Sequence, residues 1–362
     1  ALSMTLSLAA CGGNSTQTDT TAPSEQTEES SSVSDESASD ETTAENTETE
    51  TPADETEASE PAEKVDINLA ALSGPTALGM LDLLEKNENG EAANNYNVTI
   101  ATAPDEVTGK IISGELDIAA VPTNVASTLY NKTEGQVQIA ALNTMGVLYV
   151  LETGDTIQSV ADLAGKTIYA TGQGSTPEYA LNLVLEKNGL TPGEDVEIVF
   201  AADNAEIAPL LASGEAQVAL LPQPFVTSVL TQNENVRVAL DLTEEWDKAV
   251  NGESGLTMGC VVVRKEFAEQ NKEALDRFLD EYKQSVETVT SEEGLAHAAE
   301  LAEHYNIIKA AVAEKAIPEC NIVFVEGDEM QQIAGGFLQV LYDANPQAVG
   351  GQLPNDDFYY KR

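Results

Sequence analysis

The sequence predicts two α/β lobes joined by two crossing hinge strands, preceded by an acidic segment too polar to fold. Three observations carry this. Residues 163–200 read LAGKTIYATGQGSTPEYALNLVLEKNGLTPGEDVEIVF, a strand–helix–strand unit with its own start and stop signals. Residues 111–129 (IISGELDIAAVPTNVASTL) and 211–230 (LASGEAQVALLPQPFVTSVL) repeat one pattern: a helix end, Ser-Gly-Glu, an apolar strand, a proline and a new helix. Two extended apolar runs, near residues 143–150 and 257–263, carry the chain from one unit to the other and back.

Within the first unit, strand Thr167–Ala170 feeds the turn Gly172-Gln173-Gly174-Ser175-Thr176. Pro177 falls in the first turn of the helix, which ends at Asn188-Gly189, and strand Val196–Phe200 closes the unit. A turn at that place lies beside free backbone N–H groups and the positive end of the helix dipole. It either holds a polar or anionic group or simply caps its helix. It lacks the full GxGxxG pattern and the lysine of a phosphate loop. In the repeated pattern, Gly114 and Gly214 stop a helix, and Pro122 and Pro222 start the next without losing a needed N–H. Units built alike in this way present their strand-to-helix turns to a shared cleft.

Taken from its start, the chain opens with ALSMTLSLAACGG. Small residues before Cys11 make this stretch resemble a bacterial lipoprotein signal, which implies that Cys11 is lipidated and anchors the protein to the membrane. A signal fragment without lipid is the alternative. Residues 12–64 are almost entirely Ser, Thr, Glu, Asp, Ala, Asn, Gln and Pro, which cannot bury enough apolar surface to offset ordering entropy. They read as a disordered acidic tether. The formal net charge of -45, from 62 acidic and 17 basic residues, argues against a nucleic-acid partner. No internal apolar run is long enough to span a bilayer, and 3 cysteines make no disulfide scaffold.

Order is expected from Val65, with a first lobe over 65–155 and 251–362 and a second over 156–250. The turn Ser73-Gly74-Pro75-Thr76 opens a helix after the first strand, and Thr123-Asn124 opens another after Pro122. Strand Val137–Leu142 leads through Asn143-Thr144-Met145-Gly146 to the first crossing. Beyond the return strand, an amphipathic helix carries Phe267, Leu275, Phe278 and Leu279, and further helices cover 292–303, 308–316 and 328–343. The tail through Tyr359-Tyr360 is too aromatic for a free end and is expected to pack on the first lobe.

Over residues 65 to about 345 the chain resembles the substrate-binding proteins of ABC importers, in the group for nitrate, sulfonates, taurine and thiamine-pyrimidine precursors. The resemblance rests on the 163–200 stretch, both SGE…P units and the return strand followed by VVVRKEFAEQN. It implies the type II periplasmic-binding-protein fold. It also implies a monomer, without a cofactor or metal, that binds a small polar organic solute outside the cytoplasm and delivers it to a permease driven by an ATPase. Carried over position by position, one wall of the site is Ser73, Gly74, Thr76, Thr123, Asn124, Asn143 and Gly146. Gly174, Ser175, Thr176 and Gln223 form the other, with Thr257 near the return crossing. None of the four arginines (Arg237, Arg264, Arg277 and Arg362) falls in these turns, so an anion would depend on helix N-termini and hydroxyls. Tyr149, Tyr179 and Phe225 either stack on a planar ligand or belong to the core.

Two other function classes compete. Pyrimidine synthases share this fold, but their cysteine-rich stretch and catalytic histidine are not visible here. A surface adhesion module without a small ligand is the second. The histidines, His297 and His304, form with Glu300 the pattern HAAELAEH, either a metal site or a solvated helix flank. Cys260 and Cys320 either pair or stay separate buried thiols.

Overall fold

Strands and helices alternate along the chain and sort into two sheets. The computed structural model describes residues 63–102 and 104–362, so the expectations for Cys11 and for the tether through residue 62 lie outside the described residues. The first run of elements is β1 (Asp66–Leu72), α1 (Pro75–Leu78), α2 (Leu81–Glu88), β2 (Asn95–Ala101), α3 (Pro104–Ser113), β3 (Ile118–Pro122), α4 (Thr123–Lys132) and β4 (Val137–Met145). The second opens with β5 (Leu148–Thr153), β6 (Thr167–Ala170), α5 (Thr176–Lys187), β7 (Glu197–Phe200) and α6 (Asn204–Ser213). It ends with β8 (Val218–Pro222), α7 (Phe225–Gln232), β9 (Val236–Asp241) and α8 (Leu242–Ala249). The third comprises β10 (Thr257–Arg264), α9 (Lys265–Gln270), α10 (Lys272–Thr290), α11 (Leu295–His304), α12 (Ala310–Ala316), β11 (Ile322–Val325) and α13 (Gly327–Ala344).

The first sheet runs β11-β4-β10-β3-β1-β2 and the second β7-β6-β8-β5-β9. Without β11 the two follow one plan. Three parallel strands, joined through helices, lie at one side: β3-β1-β2 in one sheet and β8-β6-β7 in the other. An antiparallel strand is then inserted in each sheet, β10 between β3 and β4, and β5 between β8 and β9. The molecule is therefore two α/β lobes with mixed sheets, the type II periplasmic-binding-protein architecture. The duplicated pattern extends to backbone angles. Gly114 and Gly214 both leave their helices at left-handed φ, 79° and 78°, which glycine adopts without a Cβ penalty.

The strand Leu148–Thr153 precedes the expected boundary at 155, yet it hydrogen-bonds in the second sheet, where it satisfies the facing edges of both β8 and β9. The chain leaves the first sheet at Gly146-Val147, between β4 and β5, and returns over residues 250–256, between α8 and β10. Gly146 leaves no room for a side chain, since a Cβ there would lie 2.1 Å from the Thr243 hydroxyl oxygen. The strand Ile322–Val325 has no counterpart among the expected elements. It pairs with β4 at the far edge of the first sheet.

Apolar faces of both sheets are covered by helices. Leu69, Ile118 and Val261 pack with Leu275, Phe278 and Tyr282 of α10 in one cluster. On the opposite faces a second cluster is continuous across the lobes and joins Val121, Ile168, Leu181, Trp246 and Phe337. The aromatic tail packs as expected: Phe358 is fully buried, and the Tyr360 N–H donates to Ile139 O on β4 at 2.9 Å. Among the described residues no helix is long and apolar enough to cross a membrane.

Candidate functional site

The strand-to-helix turns of both lobes converge on one cavity of about 210 Å³. From the first lobe come Ser73, Gly74, Pro75 and Thr76 at the end of β1, with Pro122, Thr144, Met258 and Gly259 from neighbouring strands. The second lobe contributes Thr171, Ser175, Thr176 and Pro177 after β6, Asn204 after β7, and Gln223, Pro224 and Phe225 after β8. Val147 and Leu148 at the first crossing complete the floor. Larger hollows, about 520 Å³ along β6–β8 and about 380 Å³ beside Arg362, lie away from these turns.

Six of the expected site residues therefore line the cavity: Ser73, Gly74, Thr76, Ser175, Thr176 and Gln223. The other six do not reach it, being paired with neighbours or closed off behind the wall. Thr123 and Thr257 are fully buried and hydrogen-bond each other at 3.1 Å. Asn143 is buried behind the wall, with its Oδ1 only 2.6 Å from where a Cβ on Gly259 would sit. Its Nδ2 has no hydrogen-bond partner among the described residues, and neither has the Tyr282 hydroxyl near it. Gly146 is closed off by Thr243, and the Gly174 N–H is taken by the Glu178 carboxylate at 2.5 Å.

Asn124 does something different: it ties the lobes together. Its Oδ1 accepts from the Thr176 hydroxyl of α5 at 3.0 Å, and its Nδ2 donates to Ala348 O at 3.2 Å. Both side chains are buried, so this bond across the cleft is shielded from water.

Gln223 is a tightly fixed polar group on the wall, at 4 % exposure. Its Oε1 accepts from the Thr227 N–H at 3.2 Å and the Thr227 hydroxyl at 2.8 Å. A backbone N–H can only donate, so the atom facing it is the oxygen and the amide nitrogen points the other way. Asn204 repeats the arrangement, its Oδ1 accepting from Thr171 at 2.8 Å. The hydroxyls are more occupied. Thr76 donates to Leu72 O and Ser175 to Gly172 O, each at 2.7 Å.

Sequence reasoning missed Thr171, Asn204 and Met258, whereas Thr144 lies inside the expected segment Asn143 to Gly146. Asn204 was findable: it opens a helix directly after strand β7, as Thr176 does after β6. Phe225, left open between stacking and core, lines the cavity, while Tyr149 and Tyr179 pack against the cores.

The histidine face serves helix docking. His297 Nε2 lies 2.8 Å from a Glu85 carboxylate oxygen and His304 Nε2 lies 3.2 Å from Glu88, which joins α11 to α2. Among the described residues no group of three or more His, Cys, Asp or Glu side chains is placed to hold a metal ion. Cys260 and Cys320 are separate buried thiols, and burial pushes both up, Cys320 to about 12, which keeps them protonated and unreactive.

Residues 82–314 match the family described as ABC transporter, phosphonate, periplasmic substrate-binding protein. No curated protein matches the chain. Among solved structures, the fold is similar to an ABC transporter from Parabacteroides distasonis, at 25% identity over 82% of this chain and 99% of that one, TM-score 0.68. It is also similar to the periplasmic aliphatic sulphonate binding protein SsuA of Escherichia coli, at 14% identity over 82% and 92% of the two chains, TM-score 0.65. The alkanesulfonate-binding protein SsuA of Xanthomonas axonopodis pv. citri, bound to MOPS, aligns at 16% identity over 81% and 96%, TM-score 0.61.

Proposed function

We propose that the cavity between the lobes is the solute site of this chain, which belongs to the ABC transporter phosphonate periplasmic substrate-binding family. The protein is an extracytoplasmic solute-binding component of an ABC importer. In our reading it captures a small organic solute between its lobes, as a monomer, and hands it to a permease driven by an ATPase. One observation carries this: turns from both lobes line a single cavity, and the Asn124–Thr176 bond closes the cleft beside it.

A solute held by Ser73 and Thr76 on one side and by Ser175 and Gln223 on the other favours the state in which both walls meet. Gly146-Val147 and residues 250–256 absorb the rotation. The composite surface of the closed state then docks on the permease.

The test is solute release. The full chain, purified gently and then denatured, is expected to release a small organic molecule visible by mass spectrometry. Returning it to dialysed protein should give calorimetric binding without product. It should also change the emission of Trp246, the single tryptophan, which packs where α8 meets α13. Turnover of the solute, or stable capture of a partner protein with no solute, would sink the reading.

We also propose that a lipid on Cys11 tethers the domain to the membrane, on the strength of the small residues before it and the polar segment after it. Cys11→Ser is expected to move the protein from the membrane fraction to the soluble fraction in cells lacking the permease. Unchanged retention would refute the anchor.

A further inference from the structure

The cavity carries no charge of its own. Among the described residues lining it there is no Lys, Arg, His, Asp or Glu. A family described by phosphonate binding leads one to expect an anion, and an anion in a small dry cleft needs a counter-charge or a larger set of unpaired donors than two side-chain amides supply. Helix N-termini are the remaining source of positive potential. Of the four longer ones beside the cavity, those of α5 and α6 already face carboxylates, α4 opens behind Pro122 with its first residues, Thr123 and Asn124, off the cavity wall, and α7 gives its Thr227 N–H to Gln223. Glu178, in the first turn of α5, accepts from the Gly174 N–H at 2.5 Å. Asp203 caps α6, accepting from the N–H groups of Ala205 at 2.5 Å and Glu206 at 3.3 Å. At α5 and α6 an added anion would meet dipoles that are already compensated and two like charges nearby.

A cation fits no better, because the fixed polar groups on the second-lobe wall offer donors. With its oxygen held by Thr227, Gln223 presents an amide nitrogen that has no hydrogen-bond partner among the described residues. Asn204, its oxygen held by Thr171, does the same from the neighbouring turn. The rest of the wall is largely apolar: Leu72, Val147, Leu148, Phe225 and Met258, with prolines from both lobes. At about 210 Å³ the space equals roughly seven waters' share of liquid volume.

We infer that this cavity takes an uncharged organic solute with a hydrogen-bond acceptor of carbonyl type at one end, met by Gln223 Nε2, and an apolar body at the other. The inference rests on the cavity being the solute site. Phe225 and Met258 cover the apolar body, and Gln223 reads the acceptor. Selection against anions follows from the missing cation, and selection against amines from the donor that faces them.

The test uses near-isosteres that differ in charge: benzamide, benzoate and benzylammonium, with valerolactam, pentanoate and methylphosphonate as a second set. Each is titrated into the full dialysed chain by calorimetry at low and high salt. Members of the neutral class are expected to bind at least about tenfold tighter than their charged counterparts, with no salt dependence. Gln223→Glu keeps the oxygen that Thr227 needs and replaces only the nitrogen, so it should weaken neutral binding about tenfold or more. Asn204→Asp, at a partly exposed position, makes the same exchange if Gln223→Glu fails to fold.

Tighter binding of an anion or a cation, weakened by salt and altered by Gln223→Glu or Asn204→Asp, would overturn the neutral-solute inference and leave the solute site standing. Neutral binding untouched by either variant would place the ligand elsewhere and overturn both. No binding by any probe, with no solute released on denaturation, would likewise overturn both.

Discussion

Glu152→Ala is expected to lower the unfolding free energy by about 3 kcal/mol, read as an earlier urea midpoint at unchanged slope. Glu152 sits on β5 at 2 % exposure and gathers four donors. Its Oε1 accepts from the Thr156 N–H at 3.0 Å and from the Thr156 hydroxyl. Its Oε2 accepts from the Ile157 N–H at 3.1 Å and from Arg237 at 2.9 Å. Arg237, a third exposed, can turn to water when its partner goes, so the ion pair itself contributes little. The buried Ile157 N–H cannot, and its lost acceptor dominates the cost.

The same geometry sets a pH dependence. Burial pushes the Glu152 carboxyl up, but the Thr156 and Ile157 hydrogen bonds and Arg237 together outweigh it and hold the group below its ordinary value of 4.5. A carboxylate depressed on folding stabilises fully above its unfolded value and loses that contribution as pH falls through the lower folded value. The wild-type protein should therefore lose stability below pH 4.5 more steeply than Glu152→Gln, which keeps the shape and cannot ionise. Parallel acid profiles for the two proteins would refute this, as would a Glu152→Ala cost under about 1 kcal/mol.

How far the chain could be read in advance depends on whether a feature is local. The two SGE…P units were legible because each encodes its own stop and start, and Gly114 and Gly214 adopt nearly the same φ. Ser73, Thr76, Ser175 and Gln223 were legible because strand-to-helix turns in such lobes face the cleft. Thr123, Asn124 and Thr257 occupy equally good positions but are consumed by Thr257, Thr176 and Thr123 respectively, and only tertiary structure shows such pairing. Ile322–Val325 is too short for periodicity to mark, and it becomes a strand by pairing with β4. Glu152, in the run LETGDT, carries no signal at all. Its main partners, Thr156 and Ile157, are local, but its burial on a strand between β8 and β9 is set only by the assembled sheet.

Trp246→Ala is expected to cost about 3–5 kcal/mol, the range for deleting a large buried aromatic side chain. The ring is fully buried on α8, its centroid 5.6 Å from that of Phe337 on α13, and its Nε1 donates to Ser254 O at 2.9 Å. That hydrogen bond fixes residues 250–256, the segment that returns the chain to the first lobe. Phe337, at the other side of the contact, follows β11 of the first sheet, so one side chain bridges elements from both lobes. Two effects should separate. The lost volume lowers stability in a single transition, because the apolar cluster is continuous across the lobes. The freed return segment loosens the paired state, so solute affinity falls as well. Trp246→Phe should recover most of the stability but not the bond to Ser254, and affinity should follow the hydrogen bond more than the volume. Two transitions in Trp246→Ala, with the second lobe melting alone, would show instead that the cluster does not couple the lobes.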